Sequence, residues 1–168
     1  MIGVVGFAVA VAAASQIAIP LPFTPVPITL QPMLVILAGM MLGPIAGASS
    51  MLLYLAAGAA GLPVFTPIGA PGLARLFGPT GGYLLAYPIA AYVAGALAVR
   101  WSSLAGRWSA GLAGVAVIYL GGTTQLAAVS GGFVQAVRLG VMPFVLLDVA
   151  KAFVAALISR PRAARPAR

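Results

Sequence analysis

Long apolar runs, separated by short clusters of proline, glycine and arginine, divide the chain into six segments. They predict helices at about Ile2–Ile19, Met33–Leu42, Ile45–Ala60, Thr80–Val99, Ser109–Val129 and Val141–Ile158. A straight bilayer span needs ~20 mostly apolar residues, so the second and third segments are short. Only Gly43-Pro44 separates those two, which predicts a tight helical hairpin. Between the first two segments lies IPLPFTPVPITLQP, residues Ile19–Pro32. Pro20, Pro22, Pro25, Pro27 and Pro32 forbid a regular helix there and favour extended backbone. Extended backbone cannot lie bare against lipid, because its polar groups would go unsatisfied. The stretch is therefore expected at the surface or lining a cavity. Its prolines lower the entropy lost on ordering, which suits a lid. Thr24, Thr29 and Gln31 are its candidate polar contacts. The remaining breaks read as loops: Gly61–Pro79 with Arg75, Arg100–Trp108 with a tryptophan near each end, and Ser130–Gly140 with Arg138. The arginine-rich stretch Arg160–Arg168 closes the chain.

Composition turns these apolar helices into membrane spans. The chain is 62% hydrophobic and only 6% charged, against about 25% charged in a soluble domain. An all-α integral membrane protein follows, with six transmembrane helices forming one domain over residues 1–168. Residues 160–168 are its basic tail, and no room is left for a separate soluble domain. The apolar N-terminus lacks a basic leader and is read as a first span, not a cleaved signal. The net charge of +8 does not signal nucleic acid, because the basic residues form no patch interleaved with aromatics. Membrane orientation explains it better. Arg100, Arg107 and the tail arginines fall on one side of a six-span layout, and Arg75 and Arg138 on the other. The excess of basic residues marks the cytoplasmic side, so both termini are expected there. The Pro-rich stretch and the Arg75 and Arg138 loops then face outward.

With no cysteine, no histidine and one carboxylate, the chain has no disulfide, no thiol chemistry and no protein-ligated metal site. It has no P-loop and so no ATPase of that type. Acid–base options shrink to Asp148, Lys151 and hydroxyls, which argues against an enzyme and predicts no catalytic residue and no cofactor.

Asp148 is the only acidic residue and Lys151 the only lysine, three apart in the last segment. On a helix they share a face. An ionisable group at membrane depth costs at least ~2.5–3.5 kcal/mol and marks a ligand or pathway by default. Two readings stay open: a self-neutralising structural pair, or a polar site for a small molecule with hydrogen-bonding and anionic groups. Arg75 is either a further anion-binding group or a solvated loop charge. Gly81, Gly82 and Tyr83 open the fourth span, where glycine allows a neighbour or ligand close to the backbone. Ala8 and Ala12, like Ala10 and Ala14, stand four apart and let another helix approach, either within the chain or from a partner.

The stretches IPLPFTPVPITLQP, YLAAGAAGLPVF and LFGPTGGYLLAYPIAA, with Asp148-x-x-Lys151, resemble the BioY family. These are the biotin-specific S-components of energy-coupling-factor transporters. The similarity runs from about Ala8 to Ala156. It implies a six-helix S-component fold in the bacterial cell (inner) membrane, bathed in membrane lipid. It implies biotin capture from outside, with a transmembrane coupling protein and two ABC-type ATPase subunits as partners. Another vitamin, or stand-alone secondary transport of biotin, is the alternative. The resemblance places Asp148 and Lys151 in the biotin site, and Ala8 and Ala12 on the motif that contacts the coupling protein. For such a ligand, Asp148 accepts from the ureido N–H groups while Lys151 or Arg75 meets the carboxylate. Alternatively, Asp148 and Lys151 act together at one end and Arg75 at the other. Gly81, Gly82 and Tyr83 are expected along the apolar part, with Gln31 as a further polar contact.

Overall fold

The computed structural model describes residues 1–159, so the expected basic tail at 160–168 lies outside the described residues. The first apolar segment forms α1 (Ile2–Gln16) and stops as the prolines begin. The Pro-rich stretch then forms an antiparallel hairpin of β1 (Ile19–Leu21) and β2 (Thr24–Ile28), with Ile19 opposite Ile28 and Leu21 opposite Thr24. The described fold is mostly helical, with this short hairpin as its one sheet: extended backbone at the protein surface pairs with itself, because its remaining N–H and C=O groups need partners.

Pro32 sits in the first turn of α2 (Gln31–Leu42), where its missing N–H costs nothing. Gly43, at φ 89°, turns the chain directly into α3 (Pro44–Ala59). A long loop carrying the short helix α4 (Ala74–Phe77) leads to α5 (Gly81–Arg100). The predicted loop at Arg100–Trp108 shrinks to a few residues, because α6 (Leu104–Ser130) already starts at Leu104 with Ser103 as its cap. Arg107 is therefore buried in a helix and not a loop charge. It donates to the carbonyls of Ala156 and Ser102. The predicted loop at Ser130–Gly140 is also corrected. Gly131 and Gly132 turn at positive φ, and α7 (Phe133–Gly140) follows. It meets α8 (Val145–Ile158) at 57°.

By length and composition, α5 (20 residues) and α6 (27 residues) can each cross a bilayer, and α7 with α8 can do so as one bent pair. The helices α1, α2 and α3 are apolar but shorter. Large apolar side chains cover the outside, as Ile45, Leu120 and Leu146 illustrate. Such a surface suits lipid and not water.

The helices approach through small residues. Lipid supplies no hydrophobic drive between helices, so close packing must hold them. Two buried clusters result. One joins Val11, Met51, Tyr54, Tyr87 and Ile118, and the other joins Ile36, Met40, Ala94, Ala110 and Ala152. A Cβ added to Gly39 would collide with the Ala91 carbonyl of α5, a backbone atom that cannot swing aside. Gly39→Val should therefore destabilise the protein by about 3 kcal/mol or more. Gly6→Ala, which meets no neighbour within 4 Å, should not. Thermal unfolding in detergent checks both, and equal melting midpoints would contradict this packing.

Of the two settings open to Ala8 and Ala12, packing within the chain is the one seen in this single chain. Ala8 is buried within the first cluster and Ala12 packs against it. Val5, Val9 and Ala13 lie exposed on the outer face of α1.

Candidate functional site

Helices α5, α6 and α8, the start of α2, Arg75 on α4, the end of α7 and the β-hairpin enclose a pocket with about 600 Å³ of open space, its mouth included. Val26, Pro27, Ile28 and Thr29 close one side, so the Pro-rich stretch does lie over a cavity.

Asp148 falls in the first turn of α8, 4% exposed. Its Oδ1 accepts from Lys151 Nζ at 2.8 Å, and its Oδ2 accepts from the Tyr119 hydroxyl at 2.7 Å. Lys151 Nζ also donates to the Thr29 carbonyl at 2.8 Å, which ties α8 to the base of the hairpin. Both charges are thus paired and further hydrogen-bonded, the condition under which a buried ion pair is tolerated. A carboxylate has about four lone-pair sites, so Asp148 retains acceptor capacity toward the cavity.

Arg75 lies on α4, only 6% exposed, and lines the same cavity. Its guanidinium donates to the carbonyls of Ile68 and Thr66. Gly69 makes room for it, since a Cβ there would meet Arg75 Nη1. Desolvation lowers the Arg75 pKa, opposed by the nearby phenols of Tyr54 and Tyr87. Among the described residues the one ion pair is Lys151–Asp148, so Arg75 carries no carboxylate partner. The cavity lining therefore holds two cations and one carboxylate, an excess of one positive charge.

The remaining expected residues divide. Gln31 is buried, donates to the Tyr54 hydroxyl at 2.8 Å and lines the cavity. Tyr83 also lines it and donates to the Gly140 carbonyl at 3.0 Å, which fixes α5 to the end of α7. Gly81 and Gly82 are not in the lining. A Cβ on Gly81 would meet the Leu76 carbonyl, and one on Gly82 the Gly121 carbonyl, so both glycines seat α5 against its neighbours. The structure adds Tyr119, Tyr87 and Phe144 to the wall. Tyr87 stacks on Tyr54, with ring centroids 6.4 Å apart. A hydroxylated ring inside an apolar run was the available signal for Tyr119, but nothing in helical spacing ties it to Asp148, 29 positions on.

A model of the BioY family matches residues 1–167.

The chain belongs to the BioY family.

It is 42% identical over 135 residues to a probable biotin transporter BioY of Pyrococcus horikoshii, covering 80% of this chain and 79% of the relative. It is 39% identical over 141 residues to the biotin transporter BioY of Thermotoga maritima, covering 84% and 83%. Among solved structures, it superposes on the biotin S-component of an ECF-type ABC transporter with a TM-score of 0.85. That match has 29% identity and covers 94% of this chain and 86% of the other. This BioY-family chain is accordingly a multi-pass membrane transport protein with an S-component fold, not an enzyme.

Proposed function

We propose that this protein captures biotin from outside the cell and serves as the substrate-binding subunit of an energy-coupling-factor transporter. The observation that carries the reading is the single uncompensated positive charge in a cavity that also offers a carboxylate. Biotin is complementary to that wall. Its carboxylate meets Arg75, whose planar fork suits a carboxylate. Its ureido N–H groups donate to Asp148 and its ureido carbonyl accepts from Lys151, while the apolar bicycle and chain lie against Tyr87, Ile118 and Phe144. The names of the relatives support biotin over other vitamins. Gln31 and Tyr83 hold the wall in place through their hydrogen bonds.

Residues 1–168 form one domain in this reading, with α1, α2, α3, α5, α6 and the α7–α8 pair as six membrane segments. Both termini face the cytoplasm, which puts Arg100, Arg107 and the tail arginines inside and the hairpin cover outside. The protein sits in the bacterial inner membrane. A transmembrane coupling protein and two ABC-type ATPases supply the energy, since the chain has no nucleotide-binding motif of its own. Uptake of labelled biotin into a biotin-requiring bacterium without its own transporter tests this. Uptake is expected when the chain is expressed with the three partner subunits, and only a trace without them. Equal uptake without partners would make it a stand-alone transporter, and no uptake in either strain would contradict the biotin assignment.

A further inference from the structure

The loop that carries Arg75 has little secondary structure of its own, since only Ala74–Phe77 is helical between α3 and α5. Its position must come from side chains that reach it. At its start, Ser15 Oγ donates to the Val64 carbonyl at 2.7 Å and Gln16 Nε2 to the Phe65 carbonyl at 3.0 Å. Arg75 itself then gathers the Thr66 and Ile68 carbonyls. At the far end one side chain closes the arrangement. Gln125 Nε2, from α6, donates to Leu76 O at 2.8 Å and to Gly78 O at 2.7 Å.

These two carbonyls bracket the residues just after Arg75 and face a single nitrogen. Only a group with two N–H donors on one atom satisfies both, and a carboxamide is such a group. The two acceptors also fix which end of the amide faces the loop. Gly81 completes the fit, because a Cβ there would press on Gln125 Nε2. Gln125 does not line the cavity that holds Arg75.

We propose that Gln125 is a positioning residue for Arg75: it clamps α4 to α6 and so holds the guanidinium where a ligand's carboxylate arrives. The proposal rests on the reading that Arg75 receives that carboxylate. It predicts a selective defect, because losing the clamp moves Arg75 while Asp148, Lys151 and Tyr119 keep their own contacts.

The test is titration of the purified full chain in detergent with biotin and with biotin methyl ester, which lacks the anionic charge. Gln125→Met keeps the length of the side chain without a donor. It should weaken biotin binding about tenfold, the scale of one hydrogen bond to a charged group. Methyl ester binding should stay within about twofold, the limit for independent sites. Adding Gln125→Met to Arg75→Ala should cost no more than that again, because Arg75 is already absent. Equal weakening of both ligands would overturn the proposal, as general loosening of the fold would produce it. So would unchanged biotin binding, or a double variant whose losses simply add. If Arg75→Ala itself spared biotin, the carboxylate assignment would fall and the role of Gln125 with it.

Discussion

Asp148→Asn is expected to abolish measurable biotin binding, a loss of about a hundredfold or more. The carboxylate accepts from two donors, Lys151 Nζ and the Tyr119 hydroxyl. Asparagine has only one oxygen, so one of those donors would face an NH₂ group. Lys151 would keep its charge near the Thr29 carbonyl with no anion beside it. Removing one partner of a buried ion pair costs about 3–5 kcal/mol, and each 1.4 kcal/mol is about tenfold in affinity. Part of that loss falls on stability, so binding alone does not separate a structural pair from a ligand site. The double variant Asp148→Asn with Lys151→Met does. Removing both charges relieves the stranded cation, so the melting midpoint should recover most of what the single variant lost. Binding should not recover, because the acceptor for the ureido N–H groups is still missing. A double variant that regained both would make the pair structural only.

Arg75→Ala carries the second large effect, a loss in biotin affinity of about 30-fold or more. Truncating one member of a buried, hydrogen-bonded charge pair costs at least about 2 kcal/mol. Here the other member is the ligand's carboxylate, since no carboxylate of the described residues pairs with Arg75. The variant should discriminate by charge: biotin loses affinity and biotin methyl ester does not. Stability should fall less than for Asp148→Asn, because Arg75 leaves only the loop carbonyls of Thr66 and Ile68 behind. Competition between the two ligands on the variant protein measures this. An equal loss for both would place the carboxylate elsewhere, with Lys151 the next cation in the cavity.

Much of the site was legible because membrane energetics make a charge conspicuous. Asp148 and Lys151 stand alone in an apolar run, and no soluble-protein reading accounts for them. The prolines from Pro20 to Pro27 ruled out helix on steric grounds alone, whereas Pro32, also read as a helix breaker, sits in the first turn of α2 where a proline is tolerated. The pairing of that stretch into a hairpin did not follow, since proline spacing says nothing about register. Ala8 and Ala12 show what spacing leaves open. The helix α1 is apolar all round, so spacing identifies a small-residue face without saying which way it points. In the fold Ala8 is buried in the cluster that also holds Tyr54 and Val35, and Ala12 packs against that cluster. Arg107 was read as a loop charge because arginines and tryptophans mark membrane edges. In the fold its side chain reaches the Ala156 carbonyl in the last turn of α8, where a cation suits the helix dipole. Gln125 and Tyr119 depend on contacts between distant segments, which no local pattern encodes.

The most direct test of the central claim is calorimetric titration of the purified full chain with biotin, with thiamine and riboflavin as controls. Saturable binding of about one biotin per chain, with no heat from either control, is the predicted result. A protein that melts cooperatively yet gives no heat with biotin, or binds all three alike, would contradict the account.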